Sequence, residues 1–407
     1  MKAKIQSLFH DPQAPAFLTI MLVFGVSTGL FLGVLNNYLH EILSISKMER
    51  GMVELPRELP GLLLFAMVAL LSRFCEVRIL RFGFLIALSG IVGLILLGDM
   101  RYPAIVMIVL WSTGEHLMMP IRQSVGIHMA KPGKEGVALG TVRSMGNIGQ
   151  VLGFYLIPLL FVVLPFQVLK TISFTRFQII FGVGVVALIT GLILSFRLKV
   201  NNAHIQRKKL YLHKKFSKYY VLEMFFGARK QVFLTFAPYV LIVKYGARTE
   251  LLALLYGVFS TINIFIAPAI GKLVDKLGYK LIIVVDTIAL VLICLVYGFA
   301  HHMFSQPVAF AVVCGMFVLD SVLFAVSIAR TMYVKEISDS QNEVTSTLST
   351  GISINHLISI VIAILGGALW QNLGVEVLFL LAAFFGLGSF FFSLTLPKPG
   401  TVITELN

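Results

Sequence analysis

Twelve stretches of this 407-residue chain are each mainly apolar over about 20 residues or more, the length at which a helix crosses the hydrocarbon of a bilayer. They fall near 16–43, 48–71, 79–98, 103–129, 136–164 and 176–197 in the first half, and near 218–244, 249–273, 279–299, 307–335, 341–370 and 374–396 in the second. An open strand cannot satisfy its backbone in lipid, and the runs lack the alternation of barrel strands, so the spacing predicts helices. Several runs exceed the minimum, which implies tilt or projection beyond the hydrocarbon. Composition agrees with a surface that faces lipid: 58% of residues are hydrophobic and only 13% charged, with mean hydropathy +0.92. The opening segment MKAKIQSLFHDPQAPAF has no small-residue cleavage site and leads straight into the first run, so it does not read as a signal peptide.

One long segment is neither apolar nor short. From Arg197 to Lys218 the chain reads RLKVNNAHIQRKKLYLHKKFSK, with eight Lys and Arg and no acidic residue. Lys and Arg beside membrane spans are retained on the cytoplasmic side. With an even number of spans, this loop places both termini inside and divides the chain into a six-helix domain (1–197), a basic linker (198–217) and a second six-helix domain (218–407). The short loops agree. Arg73, Arg78, Arg81, Lys131, Lys134, Lys272, Lys276 and Lys280 fall inside, against Lys47, Arg50, Arg101, Lys170, Arg176, Lys244 and Arg248 outside. The net charge of +14 therefore answers to insertion and anionic headgroups, and excludes a nucleic-acid reading. Cys75, Cys294 and Cys314 are scattered and odd in number, so no disulfide framework is expected.

The halves repeat each other. At an offset of 202, Phe24-Gly25 matches Phe226-Gly227 and Phe31-Leu32 matches Phe233-Leu234; at 203, Arg73 meets Lys276; at 208, Arg122 meets Arg330, Glu135 meets Glu343 and Asn147 meets Asn355. Ordered offsets of this kind point to a six-plus-six duplication. Between the eighth and ninth spans lies Gly271-Lys-Leu-Val-Asp275-Lys276-Leu-Gly278-Tyr-Lys280. It resembles the signature loop G-x-x-x-D-[RK]-x-G-x-[RK] of the major facilitator superfamily of secondary transporters. Across that family the motif latches the cytoplasmic ends of two domains, so the resemblance implies a conformational latch at Gly271, Asp275, Lys276, Gly278 and Lys280. Gly271 would allow close helix approach, Gly278 a tight turn, and Asp275 would accept hydrogen bonds from a helix N-terminus. The first-half copy departs from the motif, with Ser72 for the aspartate and Cys75 for the glycine. Gly140, Gly149 and Gly153 keep the spacing of the family's drug-antiporter motif in the fifth span, but Phe154 stands where that motif has proline, which weakens drug export. The fourth-span arginine common in the family is Ile108 here.

Ionisable side chains inside spans are costly and face partners or water-filled cavities. The fourth span holds Glu115 and His116 near its middle; Arg122, seven residues beyond Glu115, shares its face at about 10 Å by helical rise. A carboxylate beside a histidine exchanges protons over a useful pH range, which makes Glu115 and His116, with Asp320 on the tenth span, the candidate proton carriers. The alternative is buried ion pairing. Arg143, Asn147 and Gln150 form one stripe on the fifth span, and Thr347, Gly351, Asn355 and Ser359 another on the eleventh, with His356 beside Asn355. The seventh span carries Arg229 and Lys230 side by side. At most one can point into a cavity, and Arg229 is expected to be the anion clamp unless it pairs with Asp320. The candidate substrate-binding set is thus Arg122, Arg143, Asn147, Arg229, Asn355 and His356. Glu54, Arg57 and Glu58, on the second span with Pro56 and Pro60, are expected to neutralise one another in part; Asp286 is expected to be structural.

No H-E-x-x-H, phosphate-binding G-x-x-x-x-G-K-[ST] or C-x-x-C pattern occurs, so neither an enzyme nor an ATP-driven pump is expected, and no cofactor or metal site. The expectation is an all-α, multi-pass cell-membrane protein. It would work as a monomer among lipids, moving a small anionic or zwitterionic organic solute by alternating access, with protons as the candidate coupling ion. The alternatives are an exporter of drugs or other amphiphiles, and a non-transporting sensor or scaffold built on a transporter fold.

Overall fold

The computed structural model describes residues 7–64, 67, 70, 71, 74–132, 134–163, 174–199, 212–339 and 341–397. The helices are α1 (Ala14–Glu41), α2 (Lys47–Leu62), α3 (Glu76–Leu97), α4 (Arg101–His128), α5 (Glu135–Val163), α6 (Phe174–Ser195), α7 (Ser217–Gln231), α8 (Ala237–Tyr245), α9 (Thr249–Leu277), α10 (Tyr279–Met303), α11 (Gln306–Leu323), α12 (Ser327–Ile337), α13 (Gln341–Leu373) and α14 (Val375–Leu394). Among the described residues there is no strand; one isolated bridge joins Phe9 and Ala130. Ser72, Arg73, Lys170 and most of the basic linker lie outside the described residues.

Two of the expected spans are broken helices. α7 passes into α8 through a π turn at Val232–Phe236. Pro238 lies just beyond it and cannot donate to the carbonyl of Leu234, so the ladder is widened there. A 3₁₀ turn at Phe324–Val326 joins α11 to α12. Among the described residues, ten helical segments are long and apolar enough to cross a membrane. The expected second and seventh spans are not among them: α2 is described over only 16 residues and carries Lys47, Glu49, Arg50, Glu54, Arg57 and Glu58, and the α7–α8 stretch carries Glu223, Arg229, Lys230 and Lys244. Arg50, placed in an outer loop by the charge count, instead sits in the first turns of α2, 2% exposed.

The chain forms two compact units. Unit one comprises residues 1–44, 59–207 and 248–257; unit two comprises 45–58, 208–247 and 258–407. Each unit therefore takes one segment from the opposite half of the sequence. In unit one, α1 is the central packing element. A Cβ on Gly25 or Gly29 would meet backbone of Gly146 and Gln150 on α5, and one on Gly149 or Gly153 would meet the Leu22 and Val26 carbonyls of α1. Phe31 stacks on Trp111 with ring centroids 3.8 Å apart. Phe154 is buried and stacks on Tyr256, 5.3 Å away, which accounts for the departure from the antiporter motif: a flat ring packs where a proline would otherwise stand.

Unit two repeats the pattern. Phe233, the counterpart of Phe31, packs edge-on against Tyr297 and Phe379, and Gly227, the counterpart of Gly25, approaches Asn355 of α13. Outward-facing positions on both units carry large apolar side chains such as Leu96, Val186 and Phe384, at 69%, 64% and 67% exposure. Apolar surface on that scale fits a lipid environment.

Candidate functional site

Unit two contains a set of charged and polar side chains drawn from α2 and α7, the two most polar elements, and from α12 and α13. Gly51 lets α2 lie against Ala363 and Gly367 of α13, and α2 then presents four charges at helical spacing. Arg50 Nη1 reaches Glu54 Oε1 at 2.5 Å, and Arg57 donates to Glu54 Oε2 from Nε at 2.9 Å and Nη2 at 2.5 Å. Arg57 also pairs with Glu58. The expected mutual neutralisation along α2 is present, and Gln231 Nε2 adds a bond to Glu54 at 3.3 Å. Glu58 does more than neutralise: its Oε2 accepts from His356 Nδ1 on α13 at 2.8 Å. A carboxylate only accepts, so Nδ1 carries the proton.

One turn deeper, the stripe on α13 faces α7. Gly351 accommodates the Tyr219 ring. Asn355 accepts from Lys230 through Oδ1 and donates from Nδ2 to Glu223 Oε2 at 3.3 Å. Arg330 on α12 donates to the other oxygen of Glu223 at 2.8 Å and covers the Phe226 ring at 3.7 Å. Glu58 and Glu223 both attract the Lys230 ammonium. The result is a hydrogen-bonded series, Lys230–Asn355–Glu223–Arg330, in which a neutral amide joins a cation to a carboxylate that a second cation holds.

Arg229 points the other way. It is 2% exposed, paired with Asp320 of α11 and enclosed by the rings of Phe226, Phe233 and Phe324 at 5.4–5.7 Å. Of the two adjacent cations, Lys230 belongs to the polar cluster and Arg229 to an internal pair. Lys230 and Glu223 were not singled out from the sequence as site residues, although Asn355 and His356 were. The signal available was the facing of Asn355 by α7, which needs the packing of two helices. Asp286 is 6% exposed and lines a cavity of about 20 Å³ with Arg229, Thr287 and Arg330, room for about one water.

In unit one, Arg122 Nη2 reaches Glu115 Oε1 at 3.2 Å across two turns of α4, and its guanidinium lies over Phe24 at 5.3 Å. Arg122 over Phe24 and Arg330 over Phe226 are the same contact in the two halves, at the offsets seen in the sequence. His116 is buried, its Nδ1 bonded to the Ser112 carbonyl at 2.8 Å. Pro120 interrupts α4 one turn later and frees the His116 carbonyl from the helical ladder. Arg143 and Asn147 are exposed on α5, with no ion pair to Arg143 among the described residues.

The signature motif is mostly helical. α9 runs on to Leu277, so Gly271, Asp275 and Lys276 ride its last turns, and Gly278 (φ 81°, ψ 154°) makes the turn into α10. That backbone region is essentially reserved for glycine. Asp275 and Lys276 are exposed. Among the described residues, a Cβ on Gly271 would meet nothing within 4 Å. Lys280 Nζ caps the end of α14 through the carbonyls of Leu394 and Leu396, at 2.7 and 2.6 Å. Arg81 caps the end of α6 in the same manner, through Ser195 and Leu198 at 3.0 and 3.1 Å, a cation at a helix C-terminus in each half.

Comparison with known proteins adds to this geometry. No curated protein matches the chain. Solved structures do, at low identity. The nucleoside transporter NupG shares 12% identity at a TM-score of 0.70, over 98% of this chain and 100% of that one. A POT family transporter in complex with 5-aminolevulinic acid shares 10% at 0.74, over 95% of each. The xylose transporter XylE from E. coli shares 14% at 0.70, over 97% and 98%. The family model described as Major Facilitator Superfamily matches residues 16–354; with its apolar helices, its repeated halves and its signature turn, the chain belongs to that superfamily, and is a multi-pass membrane protein with a transporter fold.

Proposed function

We propose that the chain is a secondary active transporter of the cell membrane for a small solute carrying both charge signs or a net negative one, proton-coupled and working by alternating access. In this reading α2 and the α7–α8 pair cross the bilayer despite their charge, completing twelve spans with both termini cytoplasmic. The observation that carries the substrate class is the hydrogen-bonded series Glu58–His356 and Lys230–Asn355–Glu223–Arg330. A solute with an ammonium and a carboxylate exchanges with these internal partners without leaving any of them unpaired, whereas an amphiphile would strand them. Lys230 takes the carboxylate end, and Glu58 or Glu223 the amine. The solved relative that holds 5-aminolevulinic acid, a zwitterion, is in keeping with this reading.

The test is accumulation in proteoliposomes under an imposed pH gradient, with 5-aminolevulinic acid and small amino acids as probes and xylose and a nucleoside as controls. Zwitterion uptake is expected, with Lys230→Met reducing it at least about tenfold while the thermal melt still shows a folded protein. Uptake of the neutral solutes alone, or an unaltered rate in Lys230→Met, would remove the proposed clamp.

A further inference from the structure

The ends of α10 and α14, both within unit two, carry a cluster that transport leaves unused. α10 closes with His301 and His302, and Glu376 lies in the first turn of α14. Nε2 of His301 lies 2.7 Å, and Nε2 of His302 3.0 Å, from the same carboxylate oxygen, Glu376 Oε1. The two imidazole rings are 3.9 Å apart, centroid to centroid. Gly374 (φ 98°) turns the chain into α14, and a Cβ there would come within 2.6 Å of Glu376 Oε2. A glycine at that place lets the carboxylate fold back with its other oxygen toward the histidines.

We propose that His301, His302 and Glu376 bind a divalent transition-metal ion of the zinc, nickel or cobalt kind, tying the end of α10 to the start of α14. Two imidazole nitrogens and one carboxylate oxygen are the donor set of such ions, while magnesium and calcium prefer oxygen alone. The donor atoms all lie within 4.8 Å of one another. A tetrahedral ion with bonds of about 2.0–2.1 Å separates its ligand atoms by about 3.3 Å, so the nitrogen–oxygen contacts of His301 and His302 need to open by about 0.6 and 0.3 Å. With an ion bound, each of the three donor atoms has its own bond and a fourth position is left for water. Access is open, because His302 is 60% exposed at its side chain while His301 and Glu376 are 19% and 26% exposed. Lys244 is the opposing group: its ammonium is drawn to the same carboxylate and competes with the ion.

The experiment uses the full chain, purified in detergent and stripped with EDTA, titrated with ZnCl2, NiCl2 or MgCl2 by calorimetry and followed by thermal melts. One equivalent of zinc or nickel is expected to bind and raise Tm, and magnesium to do neither. Glu376→Gln and the His301→Gln/His302→Gln pair are expected to weaken zinc binding at least tenfold, and Lys244→Gln to tighten it several-fold. Cobalt should give a tetrahedral visible spectrum that these ligand variants lose. If Glu376→Gln proves unstable without metal, His302→Gln decides alone, since that side chain is mostly in solvent. Undetectable zinc binding, or zinc binding of equal affinity in the histidine pair variant, overturns the proposal.

Discussion

Arg229 and Lys230 are adjacent in sequence, yet about 100° apart around α7, and that rotation separates two tasks. Arg229 holds Asp320 inside a shell of three phenylalanine rings, whereas Lys230 donates to Asn355, which in turn donates to Glu223. Removing one member of a buried pair leaves the other charged and desolvated. Asp320→Leu and Arg229→Met are therefore each expected to destabilise the protein by about 3–5 kcal/mol, and the two combined to recover most of it. Thermal unfolding of the four proteins in detergent measures the cycle. If the single variants melt with the wild type but lose uphill transport, the pair serves coupling, as Asp320 alone was expected to do from the sequence. Which of two neighbouring cations faces the polar cluster was not legible beforehand, because position along a helix sets an angle but not the identity of the neighbour.

The helices are set by small residues where they cross and by cations where they end. Gly149 presses against the Leu22 carbonyl, while Gly140 on the same helix meets nothing within 4 Å. Gly149→Ala is expected to cost about 1–3 kcal/mol by forcing α1 and α5 apart, and Gly140→Ala to be neutral or to stabilise by up to about 1 kcal/mol through helix propensity. Tm differences of opposite sign would be the observation. The turn at Gly278 has a different sensitivity. Gly278→Ala is expected to cost about 1–3 kcal/mol from backbone strain alone. Asp275→Asn, exposed on α9, is expected to leave Tm in place and to reduce flux if the latch implied by the family motif operates. Flux measured beside surface expression separates the two; normal flux in Asp275→Asn would make the motif vestigial here. Gly271 shows the limit of motif reading. Its spacing matches the signature, but close approach is a property of two helices, and among the described residues a Cβ on Gly271 would meet nothing within 4 Å.

The repeat is the same device built twice: an arginine over a phenylalanine ring, a glycine against the facing helix, and a cation on the last carbonyls of the sixth helix of each half. The halves differ in how their carboxylates are answered. Glu223 is held by Arg330 and Asn355, while Glu115 has Arg122 at 3.2 Å on a partly exposed face. Glu115 is thus the freer of the two to exchange its partner as the transporter changes state. Glu115→Gln is expected to abolish uphill accumulation under a pH gradient while sparing counterflow by at least about half. Accumulation that persists in this variant would move coupling to unit two.

The all-helical class, the succession of apolar helices and the superfamily were readable from the chain, because apolar runs in lipid leave the backbone one solution and because turn residues such as Gly278 state their own geometry. Part of the polar cluster was readable too: Asn355 and His356 from their stripe, and the neutralised charges of α2 from their spacing. Lys230, Glu223 and Arg330 became one network only when α7, α12 and α13 packed together. Side chains 107 to 132 residues apart in sequence meet through tertiary packing, and no local period encodes which of them will share a face.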